Sequence, residues 1–142
     1  MRVFIVEDST ALRERLSRIV ASIQGTQVVG FAPEANDAIV QIRQLKPDVV
    51  ILDIRLQYST GFQVLREVKN SSASADTPTI IVLTNYPYPQ YRKKYLDAGA
   101  DYFFDKSTEI DQVLQVLKRL GKKQGSKPAE SLRGQAAHDK TD

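Results

Sequence analysis

A chain of 142 residues without a cysteine has no disulfides, no thiol chemistry and no cysteine-based metal site, yet is long enough for one domain with a full hydrophobic core. Its net charge of +3 is unevenly spread, with 15 Lys and Arg against 14 Asp and Glu in residues 1–120, and 5 against 3 in residues 121–142. The near-neutral first part argues against a basic DNA-binding face; Val3 to Val6, followed by two acids, is too short for a signal peptide's apolar region, and no apolar stretch approaches a membrane span, so a cytoplasmic protein is expected.

The first strand is predicted over Arg2 to Val6, with Ser9 as the N-cap of a helix. In that helix Leu12, Leu16, Ile19, Val20 and Ile23 recur at helical spacing, with Arg13, Arg15 and Arg18 mostly on the other face, and Gly25 fits the helix end. Gln27 to Ala32 forms a second strand. Pro33 fits the first turn of a second helix, whose apolar side is Ala35, Ala38, Ile39, Ile42 and Leu45, and Pro47 stops it. Val49 to Asp53 is the most hydrophobic strand and is expected at the centre of a sheet.

Gln57 to Gly61 reads as a loop before a third helix carrying Phe62, Val64, Leu65 and Val68, and Asn70 to Pro78 as a polar connection. Thr79 to Thr84 is the fourth strand. A helix follows Pro89 and ends at Ala98, with Gly99 as its cap, and Tyr102 to Asp105 is the fifth strand. Thr108 with Asp111 resembles a capping box opening a last helix that buries Ile110, Val113, Leu114, Leu117 and Leu120. After Gly121 there are too few apolar residues to order the chain, so residues 121–142 are expected to form a flexible tail behind a domain of residues 1–120.

Polar residues stand just after four of these apolar runs: Glu7 and Asp8, Asp53, Thr84, and Lys106. In an open α/β sheet ligands bind beyond the carboxyl ends of the strands, so three carboxylates, a hydroxyl and an ammonium should meet in one crevice. Two charges about 4 Å apart at an effective dielectric near 20 repel by roughly 4 kcal/mol, so the acids must take up protons or a cation. Oxygen donors suit Mg²⁺, and with no His or Cys nearby zinc and copper do not fit. Asp53 can then act as a nucleophile toward a phosphoryl group, with Lys106 and Thr84 on its oxygens. Taken singly, Glu7 and Asp8 read as well as the start of a loop and a helix cap, Thr84 as a strand end, and Lys106 as a solvated lysine. The joint pattern carries the functional reading.

The chain resembles the receiver domain of two-component response regulators over about residues 1–120. The resemblance rests on VEDS with Glu7 and Asp8, PDVVILD ending at Asp53, Gly61, LTN with Thr84, and LDAGADYFFDK with Lys106. It implies an α/β fold, a single doubly wound (βα)5 flavodoxin-like domain with parallel sheet order 2-1-3-4-5. It also implies Mg²⁺-dependent phosphorylation of Asp53, with the ion held by Glu7, Asp8, Asp53 and the backbone carbonyl of Arg55. Thr84 and Phe103 take the family's switch positions. Gln57 stands where a proline is usual, Asn85 where a small residue is commoner, and Ser107 where a cis-proline is usual. A cis bond before Ser107 would cost about 3–4 kcal/mol, so it is expected to be trans.

The Lys106-Ser107 pair and QVVGFA are similar to the receiver subfamily that normally carries a helix-turn-helix output domain, for which the tail is too short. The expected function is a single-domain response regulator rather than an enzyme. A sensor histidine kinase or histidine phosphotransfer protein would phosphorylate it. The phosphorylated form would act on a downstream protein target or a second copy through the fourth helix, fifth strand and fifth helix, with no direct nucleic acid binding and no membrane. The alternatives are the receiver part of a DNA-binding regulator and a small-molecule phosphohydrolase. The latter lacks the second acid of haloacid-dehalogenase-like enzymes, because Asp53 is followed by Ile54-Arg55-Leu56.

Overall fold

The structure, a computed structural model, describes residues 1–71 and 77–126. In chain order it contains β1 (Arg2–Val6), α1 (Thr10–Ala21), β2 (Gln27–Ala32), α2 (Ala35–Leu45), β3 (Val49–Leu52), β4 (Arg55–Leu56) and β5 (Ser59–Thr60). There follow α3 (Gly61–Ser71), β6 (Thr79–Thr84), α4 (Pro89–Asp97), β7 (Tyr102–Asp105) and α5 (Ile110–Ser126). Five strands make one parallel sheet in the order β2-β1-β3-β6-β7, with the apolar β3 at its centre. This is the expected 2-1-3-4-5 order once the short β4–β5 hairpin is set aside.

Strand residues alternate between two apolar layers because successive side chains leave opposite faces of a sheet. Phe4, Val50, Leu52, Ile80, Val82 and Phe103 pack with α2, α3 and Tyr95 of α4. Val3, Ile5, Val49, Ile51, Ile81, Leu83 and Phe104 pack with Leu16 and Val20 of α1 and with Val113, Val116 and Leu117 of α5. Each fully buried side chain of this size contributes about 1.5–3 kcal/mol relative to exposure. Burial on both faces is what makes these strands read as unbroken apolar runs.

Several local expectations are corrected. Pro33 lies before the N-cap of α2, because the Glu34 carboxylate takes that role by accepting from the backbone N–H groups of Asn36 and Asp37. The loop expected from Gln57 to Gly61 contains strand residues Ser59 and Thr60, which pair antiparallel with Leu56 and Arg55. Thr108 does not cap α5. The helix starts at Ile110, and Glu109 folds back to accept the Asp105 N–H. Val116, rather than Leu114, is buried on α5.

Helix α5 also continues through Gly121 to Ser126, past the expected start of the tail. Lys122, Lys123 and Gln124 are good helix formers, so propagation outlasts the apolar stripe. Residues 127–142 of the expected tail, and 72–76 of the expected polar connection, lie outside the described residues. No cis peptide bond occurs among the described residues, so the Lys106–Ser107 bond is trans as expected. No helix among them is long and apolar enough to cross a membrane.

Candidate functional site

Register brings the strand ends together. Val6 pairs with Leu52, Leu52 with Val82, and Thr84 with Asp105, so the residues just beyond these positions share one edge of the sheet. Backbone hydrogen bonds extend the pattern: the Asp53 N–H donates to Val6 O at 3.0 Å and the Lys106 N–H to Thr84 O at 2.8 Å. The acidic pocket is therefore a product of the strand lengths.

Glu7, Asp8 and Asp53 each offer a carboxylate oxygen, and these atoms lie within 4.8 Å of one another. Glu7 and Asp53 are buried and Asp8 is exposed. Lys106 reaches between the buried pair, its Nζ 2.7 Å from Glu7 Oε1 and 2.9 Å from Asp53 Oδ2. The cluster thus sets three carboxylates against the one ammonium that pairs with two of them, which leaves a surplus of negative charge.

Burial, and to a lesser degree that surplus, shows in the proton affinities. Burial, and then the field of Asp53, push Glu7 up to about 7 against the pull of hydrogen bonds from Lys106 and the Ser9 N–H. Burial likewise raises Asp53, with Lys106 opposing it. Burial works against the charge on Lys106, but its bonds to Glu7 and the field of Asp53 outweigh it, and its pKa is raised. An all-oxygen donor set short of positive charge fits a hard divalent cation.

Thr84 is fully buried at the end of β6, and its Oγ1 accepts the Tyr86 N–H at 2.9 Å. The hydroxyl proton is therefore free to be donated elsewhere. Arg55 is exposed, with its guanidinium carbon 4.2 Å from the centroid of the Tyr86 ring. Phe103 is already inside the core, its ring 6.2 Å from that of Tyr95, while Arg92 Nη1 donates to its carbonyl at 3.0 Å. The Tyr95 hydroxyl is pushed up to about 12, chiefly by burial, and stays protonated.

Behind Asp53 the backbone packs closely against the start of α3. A Cβ on Gly61 would lie 2.0 Å from Asp53 O, so only glycine fits where α3 begins. Two contributors were not legible as site residues. Arg13, expected on the solvent face of α1, donates to the Glu7 carbonyl at 2.9 Å. Tyr86 supplies the N–H on the Thr84 hydroxyl. Neither carries a motif signal, because both act through a contact made only in the folded chain.

The response regulator receiver domain family matches residues 3–118. The response regulator GacA of Pseudomonas aeruginosa is 28% identical over 120 residues, covering 84% of this chain and 55% of GacA. The chain spans about half the length of the GacA relatives it matches. The crystal structure of the response regulator domain of Thermotoga maritima CheB superposes with a TM-score of 0.74 at 26% identity, covering 90% of this chain and 98% of that one. A LuxR-family two-component response regulator from an Aurantimonas species shares the fold, with a TM-score of 0.76 at 22% identity over 99% of this chain and 98% of its own. Motifs, sheet order and family match agree: the chain belongs to the response regulator receiver domain family.

Proposed function

We propose that the chain is a phospho-accepting switch, phosphorylated on Asp53 by a sensor histidine kinase or a histidine phosphotransfer protein in the cytoplasm. The observation that carries this reading is the buried Asp53 carboxylate, held by Lys106 at 2.9 Å beside two further acids. Glu7, Asp8, Asp53 and the backbone carbonyl of Arg55 would hold Mg²⁺, which would neutralise the pocket and supply positive charge for an incoming phosphoryl group. An Asp53 oxygen bonds to phosphorus as the phosphorus–nitrogen bond to the donor histidine breaks, and the imidazole keeps the electron pair. Lys106 and the Thr84 hydroxyl then take phosphoryl oxygens by charge-assisted and neutral hydrogen bonds. Incubation with acetyl phosphate and Mg²⁺ is expected to add one phosphoryl mass to the wild type and none to Asp53→Asn. Equal gain in both, or gain in neither, rejects the assignment.

Thr84 and Phe103 form the switch pair in this reading. Phe103 is gripped by α4 through Tyr95 and Arg92, so a shift of Thr84 toward the phosphoryl group is passed to the face made by α4, β7 and α5. That face signals to a downstream protein or a second copy, and the chain transforms no substrate other than itself. A second reading, the receiver part of a DNA-binding transcriptional regulator, is favoured by the length of relatives such as GacA.

The raised Glu7 sets a pH dependence. Its carboxyl, ordinarily near 4.5, sits at about 7 in the cation-free fold, so the fold holds a proton that the unfolded chain releases. Its contribution to stability is therefore present at low pH and is lost as pH rises from 4.5 to about 7. Mg²⁺ uptake needs the carboxylate, so it strengthens across that window and levels off above it. Calorimetric titration one pH unit below and one above this value is expected to show several-fold weaker binding on the acid side. Equal affinities would contradict it.

A further inference from the structure

Glu7 and Asp8 are adjacent, and the peptide bond joining them carries the Glu7 carbonyl. Arg13 Nη1 donates to that carbonyl at 2.9 Å, and Nη2 donates to Thr10 Oγ1 at 3.2 Å. The guanidinium also lies 4.5 Å from the centroid of Phe31, a half-exposed ring on the edge strand β2. An arginine one turn into an amphipathic helix would ordinarily extend its head into water. Here it is half-buried and turned back along the helix toward the pocket.

Glu7 itself is held from other directions. The Glu7 N–H donates to Ala32 O at 3.0 Å, and the Glu7 carboxylate accepts the Ser9 N–H at 2.9 Å. Those bonds fix Glu7 on the β2 side and its side chain over the start of α1. Neither bond restrains the Glu7–Asp8 peptide plane, and its rotation would move the exposed Asp8 relative to Asp53. Arg13 is the side chain that restrains the carbonyl of that plane, with Thr10 and the Phe31 ring fixing the guanidinium.

We propose that Arg13 is a positioning residue for the acid pair, setting the Glu7–Asp8 peptide so that both carboxylates face a divalent cation. The inference rests on the cation-binding reading of the pocket given above. Positioning and simple charge predict opposite signs. A cation beside the pocket repels Mg²⁺, so loss of Arg13 acting through charge alone would tighten Mg²⁺ binding. Loss of a group that orients ligands loosens it, commonly about tenfold or more.

The test is calorimetric titration with MgCl2 alone on the full chain, with no phosphoryl donor, alongside thermal unfolding of each variant. Arg13→Ala is expected to bind Mg²⁺ about tenfold more weakly. Arg13→Lys keeps the charge and one donor but lacks the planar fork, and should fall between the two. Phe31→Leu removes the flat support from a half-exposed position without touching the pocket, and should weaken binding in the same direction by less. Should Arg13→Ala unfold, the Lys and Phe31 variants carry the test. Affinities equal to or tighter than wild type in the folded variants overturn the inference. A wild type that takes up no Mg²⁺ overturns the cation-binding reading itself, which is a different result.

Discussion

Gly61→Ala is expected to lower the thermal midpoint by about 10 °C, roughly 3 kcal/mol or more for a domain of this size. The added methyl would meet Asp53 O at 2.0 Å, Asp53 C at 3.0 Å and Leu52 Cγ at 3.2 Å. Two of those atoms are backbone and cannot rotate aside as a flexible side chain would. The chain between Asp53 and Gly61 must open, which breaks the Gly61 N–H bond to Ile54 O at 2.8 Å and loosens the β4–β5 hairpin. Because the displaced carbonyl belongs to Asp53, phosphoryl acceptance should fall with stability. Gly121→Ala provides the contrast, since its methyl would meet only Thr26 Oγ1 at 3.9 Å. Within a helix that change should stabilise by about 0.5–1 kcal/mol. A Gly61→Ala protein melting with the wild type would contradict the described packing behind Asp53.

Lys106→Met should split two properties that a general structural defect would move together. The Lys106 side chain is only 10% exposed and contacts both buried carboxylates, so its loss leaves three acids without their ammonium. Competition for the acids disappears, and Mg²⁺ binding at high pH should tighten. The phosphoryl oxygen that Lys106 would take loses a charge-assisted bond in a buried site, so phosphorylation by acetyl phosphate should slow by about 10²-fold. Initial rates from intact mass, set beside the Mg²⁺ titration, measure both. An unchanged rate would remove Lys106 from the chemistry, and weaker Mg²⁺ binding would mean that it serves mainly to hold the pocket together.

What could be read from the sequence divides along physical lines. Val49 to Leu52 and Ile80 to Leu83 are buried on both faces, so their apolar runs announce a central parallel sheet, and a polar residue just after such a run marks the strand's end. That is why Glu7, Asp53, Thr84 and Lys106 could be located before their neighbours were known. Local punctuation was less reliable. Thr108 and Asp111 have capping-box chemistry, but the Asp105 N–H draws Glu109 back and α5 opens later.

The burial of Val116 in place of Leu114 follows from the rotation at which α5 meets α1 and the sheet, which helical spacing alone leaves open. The end of α5 at Ser126 reflects propagation by good helix formers rather than apolar burial. The contacts of Arg13 with the Glu7 carbonyl and of Tyr86 with Thr84 join a side chain or amide to a position fixed only by folding. No spacing rule encodes them.

In the proposed function a carboxylate oxygen of Asp53 accepts the phosphoryl group. Borohydride reduces an aspartyl phosphate to homoserine, so treating the chain after acetyl phosphate and Mg²⁺, then sequencing its peptides by mass, maps the acceptor directly. Homoserine at position 53 alone is the predicted result. Reduction at Glu7 or Asp8, or none under conditions where the intact chain gains phosphate, would contradict it.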